Sequence, residues 1–222
     1  MICDGVFGII SVGEFMTEKE KMIAGLIYDP ADDELQTMRT NAHKLCNAYN
    51  KLDEDDSTRG DILSQLLPHG NGVYLQGPIY FDYGCFTTFG KNCYANFNLT
   101  ILDCCPVTIG DNVFIGTGVS IVTPVHPFLP EERNMYVNDK GVLTDKEYAK
   151  PIVIGSNCWI ASNVTVCGGV NIGDGSVIGA GSVVTRDIPS GVLAAGNPCK
   201  VIRKLTAEDS IYLKKNLRKS EE

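Results

Sequence analysis

One histidine, His126 in Thr123-Pro124-Val125-His126-Pro127, stands where a regular six-residue beat stops. A neutral imidazole takes a proton near neutral pH and can hand it back, which makes this side chain a candidate general base. It is followed by about 25 polar, proline-containing residues, 127–151. Loops that long inside a compact domain are usually functional or disordered. Spacing alone makes His126 a candidate and no more. The other histidines, His43 and His69, fall in and just after a helical stretch and read as structural.

The beat says what must position His126. Ile109, Ile115 and Ile121 recur every six residues before the break, and Ile154, Ile160, Val166, Ile172, Ile178 and Val184 resume after it. The later aliphatics are followed by Gly155, Ala161, Cys167, Gly173, Gly179 and Thr185, and four places on by Cys158, Val164, Val170, Ser176, Ser182 and Ile188. A period of six fits neither a helix nor one long alternating strand. It fits short strands joined by tight corners, the pattern of a parallel β-helix, and coils of that kind must stack to bury an apolar face. Corners such as Gly110-Asp111-Asn112 and Gly173-Asp174-Gly175 supply residues that tolerate positive φ. Upstream the beat is looser, through Tyr83, Phe89, Ala95 and Ile101, and slips by two residues before Ile109, which implies one bulged coil. Residues 77–188 should make roughly five coils.

Composition narrows the classes. With 222 residues, 44% of them apolar, the chain can bury a core as one domain with a helical appendage. A net charge of −8 argues against general nucleic-acid binding. Nine cysteines without a Cys-x-x-Cys pair, several at repeat positions for small apolar residues, read as reduced core thiols of a cytoplasmic protein. No apolar run reaches membrane-spanning length.

Residues 1–15 lack a basic start and a cleavage site and read as an expression leader, excluded from the fold argument. Thr17 and Glu20 form a capping box for a first helix. Leu35, Met38, Ala42, Leu45 and Tyr49 mark the apolar face of a second, after the acidic Asp32-Asp33. A third should cover 61–67 and stop before Pro68. The expected organisation is a helical cap over 16–70, a β-helix domain over 71–203 interrupted by the loop 127–151, and a C-terminal helix and tail over 204–222. That last helix should start at the capping box Thr206-Ala207-Glu208-Asp209 and run to about Arg218.

An ordered motif set then narrows the reading. Tyr83-Gly84, Tyr94-Ala95-Asn96-Phe97-Asn98, Ile109-Gly110-Asp111-Asn112, His126-Pro127, Trp159-Ile160 and Ala195-Gly196-Asn197-Pro198, with the opening Met16-Thr17-Glu18-Lys19-Glu20, resemble the maltose/galactoside O-acetyltransferase family. The resemblance covers nearly everything from Met16 onward and leans to the maltose members. It implies a mainly β fold, a left-handed parallel β-helix, and a homotrimer with active sites between neighbours. It also implies acetyl-CoA as donor, a small-molecule sugar as acceptor, and no metal, nucleic-acid or membrane partner.

By the same resemblance His126 is the catalytic base, and the acceptor pocket includes Asp29, Asp82, Asn96, Asp103 and Glu147, whose carboxylates and amide can bind sugar hydroxyls. Asp82 stands where galactoside enzymes carry serine, and Cys104 where they carry a second acid, which favours a maltose- or glucose-type acceptor. The CoA side is expected along Trp159, Ser162, Ala180, Thr185 and Arg186, with Lys200 and Arg203 toward the phosphates. Direct transfer without a covalent acyl-enzyme follows from the cysteines being core residues. The alternatives are a galactoside or antibiotic hydroxyl as acceptor, and a non-catalytic solenoid. A zinc site of three histidines lacks its ligands, because His126 is the one histidine in the repeat region.

Overall fold

A six-residue repeat is too short to bury an apolar face by itself, so the chain coils and stacks. The computed structural model describes residues 16–214 and forms a parallel β-helix of about six turns with three faces. The first face carries Tyr74–Leu75, Tyr94–Ala95, Phe114–Ile115, Trp159–Ile160, Val177–Ile178 and Val192–Ala195 in parallel, closed by the antiparallel strand Lys200–Lys204. The second stacks Ile79–Phe81, Leu99–Leu102, Ser120–Val122, Thr165–Cys167 and Val183–Val184. The third stacks Thr87–Phe89, Val107–Ile109, Ile152–Ile154 and Asn171–Ile172.

The aliphatics of the beat land on their counterparts one turn away. Ile109 pairs with Ile154, Ile115 with Ile160 and Ile121 with Val166, and these pair onward with Ile172, Ile178 and Val184. Together they form one continuous buried column. Asn92, Asn112 and Asn157 turn the corner after the third face in the left-handed region, with φ of 57°, 56° and 60°. Asparagine tolerates that conformation better than most residues, and here each amide also bonds the next: Asn92 Nδ2 donates to Asn112 Oδ1 and Asn112 Nδ2 to Asn157 Oδ1, both at 3.1 Å.

The upstream beat departs from its sequence reading. Phe81, not Tyr83, occupies the rung beneath Ile101. Phe81 to Phe89 and Ile101 to Ile109 are both eight residues apart, so two turns carry a two-residue excess, and both place it at the corner between the second and third faces. The loop that begins beside His126 leaves from this same corner one turn later. Asp103 fixes the corner: its buried carboxylate accepts from the Tyr83 and Gly84 amides at 2.9 and 3.1 Å and from Thr87 Oγ1 at 3.0 Å.

Helices α1 (Glu18–Ile23), α2 (Asp33–Tyr49) and α3 (Arg59–Leu66) cover the first coil, and α1 begins at the Thr17/Glu20 capping box. The open edge of that coil is satisfied by side chains rather than by another strand. Asn50 both accepts from the Ile79 amide at 2.7 Å and donates to its carbonyl at 2.9 Å, while Tyr49 and Arg59 donate to Leu75 O. Pairing an edge in this way removes a template for association. One difference concerns the C-terminal end. Thr206 and Asp209 do form a capping box, but it opens two short 3₁₀ turns, Ala207–Asp209 and Ile211–Leu213, in place of a helix. Arg203 grips Asp209 with both guanidinium nitrogens and Ser210 caps a new turn, which breaks the run. Residues 1–15, and the expected helix beyond residue 214, lie outside the described residues. Among the described residues no helix is long and apolar enough to cross a membrane.

Candidate active site

His126 is held at the corner by a strand pair that the sequence does not announce. The loop contains α4 (Pro130–Arg133) and a hairpin of Tyr136–Val137 with Leu143–Thr144, then returns as Tyr148–Ala149 antiparallel to Pro124–Val125. That return brings Asp145 and Glu147 back to His126. Imidazole Nδ1 lies 3.1 Å from Asp145 Oδ2, within hydrogen-bonding distance, and Nε2 lies 3.7 Å from Glu147 Oε1. The imidazole is half exposed, whereas the Glu147 side chain is 13% exposed.

Glu147 is in turn fixed from the helical cap. Tyr28 pairs with it across an isolated antiparallel bridge, and the Tyr28 hydroxyl donates to Glu147 Oε2. Burial pushes the Tyr28 hydroxyl up, so it remains a donor. Burial likewise holds the Glu147 carboxyl above the ordinary carboxylate range, opposed by the Tyr28 bond and by His126. Cys104 sits beside this group and donates to Asp82 Oδ2 at 3.6 Å; burial raises its thiol, which keeps it a weak nucleophile. The other oxygen of Asp82 faces His43 Nε2 at 3.6 Å. One polar chain thus runs from His126 through Glu147, Tyr28 and Cys104 to Asp82 and His43.

The remaining expected site residues separate into groups. Asp29 is engaged with the loop: burial works against its charge, but bonds from Thr144 Oγ1 at 2.5 Å, Asn138 Nδ2 at 2.8 Å and the Ala31 amide at 2.9 Å hold its carboxyl below the ordinary range. Asp103 corrects its reading as an acceptor ligand: fully buried, it spends its oxygens on the corner amides and Thr87. Asn96 lies on a different corner, between the first and second faces, and its Oδ1 accepts from the Phe97 amide at 2.7 Å. Ser162 and exposed Ala180 follow Asn96 along that corner in later coils, while exposed Thr185 and Arg186 follow the His126 corner. Trp159 points outward from the first face in register with Phe114 and Val177. Lys200 is an exposed cation, whereas Arg203 is already paired with Asp209.

Sequence reasoning missed Asp145 and Tyr28, and it read Cys104 only as a replaced acid, without its place in this polar group. Asp145 had one available signal: it stands two residues from Glu147, so in extended chain both carboxylates share a face. Tyr28 had none, because it meets Glu147 and Cys104 only after the cap docks on the prism. Among the described residues no group of three metal-ligating side chains forms, and the eight described cysteines are free.

Comparison with known proteins adds to this geometry. Residues 21–71 match the maltose acetyltransferase hexapeptide capping motif, 106–126 the hexapeptide repeat of succinyl-transferase, and 151–186 the six-repeat bacterial transferase hexapeptide. Galactoside O-acetyltransferase of Escherichia coli strain K12 is 38% identical over 199 residues, spanning 89% of this chain and 94% of its own. A maltose O-acetyltransferase structure from Clostridium difficile 630 is 41% identical with a TM-score of 0.78, covering 86% of this chain and 98% of that one. A hexapeptide-repeat acetyltransferase from Vibrio cholerae, solved with acetyl coenzyme A, is 34% identical with a TM-score of 0.75, covering 86% and 100%.

Proposed function

The chain belongs to the hexapeptide-repeat acetyltransferases of the maltose and galactoside O-acetyltransferase kind, and from that premise we propose that it transfers acetyl from acetyl coenzyme A to a hydroxyl of a maltose- or glucose-type sugar, with His126 as general base. The observation that carries the reading is the arrangement at His126, whose two nitrogens face two different carboxylates. Asp145 favours the tautomer with the proton on Nδ1, which leaves the Nε2 lone pair for substrate. At 3.7 Å, Glu147 is too far to bond Nε2 directly, so an acceptor hydroxyl has room beside Nε2 with Glu147 in reach.

The chemistry balances without a further reagent. The acceptor oxygen attacks the thioester carbonyl carbon as its proton passes to Nε2. The tetrahedral adduct then collapses, the C–S bond breaks, and the leaving thiolate takes the proton back from Nε2. The products are the acetyl ester and the free thiol of coenzyme A. Direct transfer fits the buried thiol of Cys104, raised and turned toward Asp82.

Two corners supply the two substrates in this reading. Asp82 and Glu147 border the acceptor on the His126 corner, and Asp29 holds the loop that covers it. Ser162 and Ala180, on the corner that carries Asn96, and the outward Trp159 would line the CoA arm, with Lys200 and Arg186 toward its phosphates. Within one chain these corners are on different edges of the prism, so the complete site needs a neighbouring copy, and a closed homotrimer supplies one with a single repeated contact.

A thiol-release assay with acetyl coenzyme A and glucose, maltose, galactosides and hydroxylated antibiotics tests this. Release with glucose or maltose is expected, and the His126→Ala variant should lose at least about 10²-fold in kcat, the low end for a general base. Release with galactosides or antibiotics alone would move the acceptor assignment, and no release with any acceptor would favour the structural solenoid.

A further inference from the structure

Beside the His126 corner lies a cleft of about 280 Å³ between α2 and the second face. It is near the lower end of ligand-pocket volumes, about 300–1,000 Å³. Its floor is apolar, from Phe81 and Leu102, and its rim is polar, from His43, Asn47, Tyr80 and Asp82. Tyr80 is exposed at the centre of the strand Ile79–Phe81. His43 is half exposed, and its Nε2 lies 3.6 Å from Asp82 Oδ1.

A sugar ring offers an apolar C–H surface and a girdle of hydroxyls. It is recognised by an aromatic or apolar platform together with planar side chains that donate and accept at fixed positions. Exposed Tyr80, with half-buried Leu102 beside it, is such a platform, and His43, Asn47 and Asp82 are such a girdle. The cleft borders the reaction site at Asp82. Asp82 turns Oδ1 to His43 and Oδ2 to Cys104, and so divides the cleft from the group that leads through Tyr28 and Glu147 to His126. A second ring joined to one at His126 Nε2 would reach the cleft across Asp82.

We infer that this cleft is a second acceptor subsite, with His43 and Tyr80 as specificity-determining residues, and that the acceptor class is a glycoside of at least two sugar rings. The inference rests on the acetyl-transfer reading above and narrows its substrate. His43 acts here by holding the distal ring, apart from any proton transfer, so it governs KM for longer acceptors.

The test compares kcat/KM for glucose and maltose in wild type, His43→Ala, Tyr80→Ala and a His69→Ala control, with thermal melts for each protein. Wild type should prefer maltose by about tenfold, the worth of one or two neutral hydrogen bonds. In His43→Ala and Tyr80→Ala the preference should fall toward one through KM for maltose, at unchanged kcat for maltose and unchanged melting temperature. His69→Ala should keep the wild-type preference, since His69 is exposed beyond α3 and away from the cleft. Equal kcat/KM for glucose and maltose in wild type, or a preference untouched by both cleft substitutions, overturns the subsite while leaving acetyl transfer intact. Silence toward every acceptor overturns the transfer reading and the subsite with it.

Discussion

At His126 the two ring nitrogens meet unequal partners, and in the proposed reaction they take different tasks. In the proposed reaction Asp145, a carboxylate with its side chain 23% exposed, acts at Nδ1 through the imidazole, as a positioning residue. Its replacement by asparagine should lower kcat by about tenfold or more, a share of the 10²–10⁴-fold of a general base. KM for acetyl coenzyme A and the melting temperature should stay at wild-type values, because Asp145 contacts neither the CoA wall nor the core. Steady-state kinetics with both substrates varied would read this split; a loss confined to stability would make Asp145 merely structural. His126 is legible in the sequence because it interrupts a repeat. Asp145 is hidden because its loop holds several acids, and only the pairing of Tyr148–Ala149 with Pro124–Val125 selects which of them returns.

The corner between the second and third faces is the element that turns a plain solenoid into a site. Its two-residue excess is held by Asp103, whose three bonds are internal. Asp103→Ala leaves the Tyr83 and Gly84 amides and the Thr87 hydroxyl unpaired, and should cost at least about 2 kcal/mol of unfolding free energy at about 1–3 kcal/mol per orphaned group. Asp103→Asn keeps an acceptor for the two amides and a donor for Thr87, so KM for the acceptor should be unchanged; a raised KM would return Asp103 to the pocket. Burial holds the Asp103 carboxyl above the ordinary range. A raised folded-state pKa contributes stability that is complete below the unfolded value, about 4, and is lost as pH rises through the folded value. Urea midpoints at fixed protein concentration should therefore move in favour of the asparagine variant as pH is raised above about 4. A gap independent of pH would contradict the buried ionisation. The rungs from Ile109 to Val184 are readable because each aliphatic meets another six-residue aliphatic across the turn. Tyr83 misleads because a locally regular spacing cannot show that Asp103 draws two residues out of the coil.

On the scale of the whole molecule the proposed division of labour crosses the boundary of one chain. The solenoid and its helices are legible in periodicity and capping boxes, since both are local. The partner is not, because no local pattern encodes which corner faces a second copy. Asn96, expected from the resemblance to bind the acceptor, and His126 occupy different corners of one prism, and acetyl transfer with both in those roles needs them in the same site. Mixed assembly tests that need directly. His126→Ala and Asn96→Ala chains, each nearly inactive alone, are co-expressed and assayed together for release of coenzyme A in the presence of maltose. A site that takes His126 from one chain and Asn96 from the next is intact in about a quarter of random pairings in a closed ring. The mixed protein should therefore recover about a quarter of wild-type turnover. Turnover no higher than that of either variant alone, or a His126→Ala protein as active as wild type, would contradict a shared site built on His126.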